Sequence, residues 1–183
     1  MSDHDPVELY RRATARAVDV AYGVRPDQLA SSTPCSEWTV QDLLDHLVTG
    51  TVYLAAALGS DPAGPPTPGT APDLALGVER CLAQMADPVA LAHRSDSPLG
   101  FEWSGVEATA GTFMDVLVHT WDLATATGQD AALAPDLVAA CTDMFLPGMP
   151  DQGRQAGIIG PAIDVAPDAS PQDQLLAAMG RQP

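Results

Sequence analysis

The stretch "DVLVHTWDLATATGQD", residues 115–130, decides how the chain is read. Val, Leu and Trp fill most of it, and Gly128 offers a left-handed stop for a helix ending at Thr127. Within that apolar run Asp115 and His119 stand four residues apart, and Asp122 follows one turn later. At about 100° per residue, with Asp115 at zero, His119 falls near about 40°, Asp122 near about 340° and Thr112 near about 60°. The four polar side chains therefore share one face, and Phe113, Met114, Leu117 and Trp121 cluster on the other. Two readings follow. Periodicity alone favours an amphipathic helix with its polar stripe in water. The other reading turns the stripe inward to hold something.

A second helix bears on the choice. "VQDLLDHLVTGTVYLAAALG", residues 40–59, is strongly periodic, and Thr39 with Asp42 three residues on forms a relative of the capping box. Leu43, Leu47, Gly50, Leu54 and Ala57 lie on or beside the face of His46. This puts His46 at the edge of a core-facing stripe, where an imidazole needs a partner. A satisfied core histidine is the ordinary fate of such a residue. An imidazole from one helix, joined to an i, i+4 carboxylate and imidazole from another, would also supply three ligands of the kind that zinc, nickel or iron accept.

Further helices are expected from about Pro6 to Tyr22, with Asp5 as N-cap and Gly23 at the end, and from about Asp73 to Met85. "SDPAGPPTPGTAP" is a Pro/Gly-rich segment, so residues 60–72 are expected to form a surface crossover. "GFEWSGVEA" alternates enough for a short strand or hairpin, and any β-structure is expected within residues 88–109. The central helix is expected over roughly Gly111–Thr127 and another from about Pro135 to just before Pro147. Residues 148–169 read as irregular, and a terminal helix should open at Ser170-Pro171. The fold class is all-α: a four-helix bundle with a long crossover, short extra helices and a minor β-hairpin, in one domain spanning 1–183.

Composition narrows the function classes. The 183 residues include 24 acidic and 8 basic side chains, a net charge of −16, and every basic residue is Arg. Such a chain repels phosphate backbones and anionic lipid heads, so neither nucleic acid nor a membrane surface is an expected partner. No apolar run is long enough to span a bilayer, and "MSDHDPVELYRR" lacks a signal-peptide layout. Cys35, Cys81 and Cys141 are widely spaced and odd in number, which suits a reducing cytoplasm and argues against a disulfide framework or thiolate zinc site. Cys35, just before a helix, reads as part of a rigid connector or as an activated thiol. Trp38 and Trp121 read as bundle packing, with the wall of a pocket as the alternative. Asp122 either orients His119 or plays a local structural part. His4 and His93 read as loop or surface residues with no partner the sequence can name.

"TPCSEWTVQDLLDHLV" and "FMDVLVHTWDLATATGQD" together closely resemble the paired signatures of an actinobacterial family related to the N-terminal domain of mycothiol-dependent maleylpyruvate isomerase. That family lies within the DinB-like superfamily of metal-binding four-helix bundles. The tail "DASPQDQLLAAMGRQP" resembles the group's usual ending, and the likeness runs from about Leu9 to Arg181. The resemblance implies one divalent metal, zinc first with nickel or iron as alternatives, held by His46, Asp115 and His119. It implies a metal-dependent thiol S-transferase or isomerase, with mycothiol as co-substrate and an electrophilic small molecule as substrate. The other class of function is a non-catalytic metal-binding or assembly module. Catalytic and thiol-binding residues are not assigned by the sequence, and a homodimer is left open.

Overall fold

The computed structural model describes residues 4–61 and 63–183, which divide into two compact units: residues 5–131, and residues 132–183 together with His4. Pro62, in the expected crossover, and residues 1–3 lie outside the described residues.

In the first unit α1 (Pro6–Tyr22) is opened by the Asp5 carboxylate, which accepts from the Val7 amide. It stops at Gly23, where the Gln129 side chain approaches so closely that a Cβ would collide with it. That side chain donates to the carbonyl of Val20 at 2.9 Å, satisfying one of the helix's terminal acceptors. α2 (Val40–Ala57) begins at a full capping box: Thr39 accepts from the Asp42 amide, and Asp42 accepts from the Thr39 amide at 2.8 Å. The turn after α2 reaches the left-handed region at Gly59 (φ 92°), the glycine expected to end it. α3 (Ala71–Met85) opens two residues ahead of the expected Asp73, on a second capping box between Thr70 and Asp73.

A five-residue helix, α4 (Pro88–Ala92), leads into an antiparallel pair, β1 (Arg94–Asp96) and β2 (Glu102–Ser104), with Ser95 opposite Trp103. The hairpin falls where β-structure was expected; outside it, among the described residues, there is one isolated bridge, Ser32 to Thr39. α5 (Gly105–Thr127) starts six residues before the expected Gly111, because Ser104 and Glu107 form a third capping box straight out of β2. It ends at Gly128 (φ 67°) as read from the sequence.

Helix α5 packs on α1 and α2, which both pack on α3, closing a four-helix bundle. Covered along most of its length, α5 leaves Glu107 and Thr125 exposed and Asp115 partly so. Thr109, Thr112, Thr120 and Thr127 are all buried, and each hydroxyl donates to the carbonyl four residues back. These threonines thus survive burial by bonding to their own helix, whereas Asp115, His119 and Asp122 are satisfied by side chains. Of the two readings of the stripe, the burial of His119 and Asp122 supports the one that turns it inward.

The second unit contains α6 (Pro135–Phe145), α7 (Met149–Gln155) and α8 (Pro171–Ala178), with α6 packed on α8. Ser170 caps α8 as expected. α7 corrects the irregular reading of residues 148–169. Its sequence, MPDQGRQ, has no apolar period, and its buried positions are Pro150 and Gly153. Ile159 lies against Gly153 too closely for any side chain there. Among the described residues no helix is long and apolar enough to cross a membrane.

Candidate metal centre

Three side chains from two facing helices converge inside the first unit. His46 comes from the middle of α2, and Asp115 and His119 from consecutive turns of α5. His46 Nε2 lies 3.1 Å and 3.3 Å from the two oxygens of Asp115, and His119 Nε2 lies 3.5 Å from Asp115 Oδ1. The imidazole centroids are 4.7 Å apart, with the rings edge to face. His46 and Asp115 keep about a third of their side-chain surface (32% and 35%), whereas His119 keeps 8%. The cluster is therefore open on one side and anchored at depth on the other.

Asp122, with no exposed side-chain surface, accepts from His119 Nδ1 at 2.9 Å. A carboxylate can only accept, so the proton sits on Nδ1 and Nε2 is the nitrogen turned to His46 and Asp115. This is the arrangement in which an outer carboxylate fixes a ligating histidine. Trp38 walls the cluster, its ring 4.7 Å from His46 and 5.4 Å from His119 between centroids, the latter pair near parallel at 24°. Of the two readings of Trp38, packing or a pocket wall, the structure supports the wall; Trp121 is buried as expected. The connector also brings Cys35 within reach of His119 and Asp122. Its turn is held by Thr33, whose hydroxyl donates to the Cys35 carbonyl at 3.0 Å, and by the Trp38 amide, which donates to the same oxygen at 3.2 Å.

The remaining histidines stay outside. His93 Nδ1 is 3.1 Å from the carbonyl of Ala57, and His4 lies 3.6 Å from Asp143. Cys81 and Cys141 are fully buried, and burial pushes their thiols up to about 11 and about 12.

Electrostatics bind the cluster together. Burial alone would push the Asp115 carboxyl up, but the charge and hydrogen bonds of His119, then of His46, outweigh it and hold it well below the usual carboxylate range. Burial would likewise lower His119, but Asp115 and then Asp122 raise it to about 9. A proton on His119 thus competes with a cation for the place between Nε2 and Asp115.

The donors fit such a cation. Metal–ligand bonds of about 2.0–2.1 Å at tetrahedral angles require ligand-to-ligand edges of about 3.3–3.4 Å. The measured edges to Asp115 run from 3.1 to 3.5 Å. One N, one O and one N from rigid helices, with one side open, is a donor set suited to a divalent transition metal.

A four-helix bundle carrying a His/Asp/His cluster between two of its helices defines a class of helical domains with a candidate metal site. The chain belongs to the family described as mycothiol maleylpyruvate isomerase N-terminal domain, a DinB-like domain whose profile matches residues 10–124. It is also 34% identical to the uncharacterized proteins MT0763 of Mycobacterium tuberculosis (strain CDC 1551 / Oshkosh) and Rv0738 of Mycobacterium tuberculosis (strain ATCC 25618 / H37Rv), each alignment covering 97% of this chain and 98% of the relative. No solved structure matches the chain.

Proposed function

We propose that this protein binds one divalent metal ion through His46, Asp115 and His119 and uses it as a metal-dependent S-transferase or isomerase of low-molecular-weight thiols. A mycothiol-type thiol would be co-substrate and an electrophilic small molecule the substrate. The observation that carries the reading is the convergence of the three donors, with ligand atoms all within 4.8 Å, inside a chain of this family. Zinc is the first choice of ion for two imidazoles and a carboxylate, with nickel or iron next.

A divalent ion there supplies Lewis acidity that favours the thiolate form of a bound thiol at neutral pH. The chain does the rest. Asp122 holds the Nδ1 proton of His119, which keeps Nε2 directed at the site. Trp38 covers one side with an apolar face and excludes water from it. His46 and Asp115 lie at the exposed rim, which leaves an approach for a small molecule. The net charge of −16 raises the local concentration of cations.

A second reading has its own support. In the metal-free protein Asp115 pairs with both histidines, so the bundle closes without any substrate and could serve as a binding or assembly module.

Calorimetric titration of tag-free, zinc-loaded protein with mycothiol separates the two. Binding that disappears on chelation and in His46→Ala, together with turnover of an electrophile, is the expected result. Metal binding with no thiol affinity at all would leave the module reading.

A further inference from the structure

His119 has two faces, and the connector ahead of α2 supplies donors to the second one. Cys35 Sγ, a ring nitrogen of His119 and a carboxylate oxygen of Asp122 all lie within 4.8 Å of one another. The nitrogen on that side is Nδ1, 2.9 Å from Asp122, while Nε2 is turned to Asp115. Bonds of about 2.3 Å to sulfur and about 2.0 Å to nitrogen set an S-to-N edge of about 3.5 Å, which an approach of the three atoms to within 4.8 Å accommodates. The set differs in chemistry from the outer one. It contains sulfur, and two of its three members are nearly or wholly without exposed surface. A soft cation prefers it for its sulfur.

The turn that carries Cys35 is built for that position. Glu37, its third residue, stands at φ 77°, a left-handed conformation that side chains other than glycine rarely adopt. Strain of this kind persists where the surroundings over-determine the backbone, and here the turn places both Cys35 and Trp38 beside His119.

We propose that Cys35, His119 and Asp122 form an inner position for a thiophilic cation such as cadmium or excess zinc, and that filling it empties the outer position. A neutral imidazole has one free lone pair. When Nδ1 ligates the inner ion, the ring proton moves to Nε2 through solvent exchange, and the Cys35 thiol releases its proton to water. Nε2–H then faces Asp115 as a donor, and the outer set is reduced to His46 and Asp115. The inner position stands on its own geometry; its exclusion of the outer one rests on the proposed function.

The test loads the full chain with nickel, removes the excess and titrates with cadmium. Two quantities are read: the ultraviolet thiolate-to-cadmium charge-transfer band, and nickel released on desalting. In the wild type the band should grow to one equivalent of cadmium while the bound nickel leaves. Cys35→Ser, its melting checked against the wild type, should show no band and retain its nickel; Cys35→Ala should repeat the result. Cys81 and Cys141 are fully buried and should stay silent. A wild type without the band, or a band of equal strength in both Cys35 variants, overturns the inner position. A full band with all nickel retained overturns the exclusion. A wild type that takes up no nickel beforehand overturns the outer reading, while the band still reports on the inner one.

Discussion

Asp122 touches no solvent, and its carboxylate accepts from the far side of His119. Removing its charge should leave the helix intact but loosen the choice of which His119 nitrogen carries the proton. Asp122→Asn is therefore expected to weaken metal binding about 10- to 100-fold, measured by competition against a chromophoric chelator; an unchanged affinity would mean that Asp122 is merely filling space. The proton on His119 also sets a pH dependence. Its raised value, about 9, means that an ion must displace that proton at neutral pH. Metal affinity should then climb by about tenfold per pH unit up to about pH 9. Without metal the signs run differently. Stabilisation from the raised His119 is full below its unfolded value of about 6.5 and is lost as pH rises through about 9. Stabilisation from the depressed Asp115 is present above about 3.9 and is lost as pH falls through its lower folded value. The melting temperature of the chelated protein should accordingly peak between about pH 4 and 6.5. His119→Gln should flatten the alkaline side of that profile.

At the scale of elements, α5 illustrates what periodicity can and cannot carry. The angular positions of Asp115, His119 and Asp122 are as the helical repeat requires, and so is the buried face of Phe113, Leu117 and Trp121. A repeat says which side chains share a face, however, and is silent on what covers it. With α1 and α2 both against α5, His119 and Asp122 of the polar stripe are enclosed while Asp115 stays at the rim. The early start of α5 was present as Ser104 and Glu107, a capping pair hidden by the strand-like alternation of the preceding residues. Ser104→Ala should cost about 1 kcal/mol by removing that cap, read from chemical denaturation; a loss near zero would place the helix start elsewhere. α7 was masked by its lack of apolar period and its internal glycine, although Pro150 in its first turn and the Asp151–Arg154 pair are local helix signals. Trp38 and Cys35 were hidden for another reason. They ride on a connector whose path depends on the Glu37 conformation, and no repeat describes such a path. Glu37→Gly should relieve that left-handed strain and raise stability by up to about 1 kcal/mol. A marked loss in the same denaturation experiment would show that the turn is not strained.

At the scale of the molecule, the account rests on a site that exists only in the folded chain. His46 and Asp115 are 69 residues apart in sequence and meet only when α2 lies against α5. An ion that binds this preformed site, and has no equivalent in the unfolded chain, stabilises the fold by mass action, about 2.7 kcal/mol at a hundredfold excess over Kd. The most direct measurement is the metal content of tag-free protein, taken together with its melting temperature before and after a strong chelator. The account predicts one divalent ion per chain and a clear drop in melting temperature on chelation, with both the ion and the drop largely lost in Asp115→Asn and His119→Ala. A wild type shown to contain metal whose melting is the same with and without chelator, or variants that hold the ion as well as the wild type does, would contradict it.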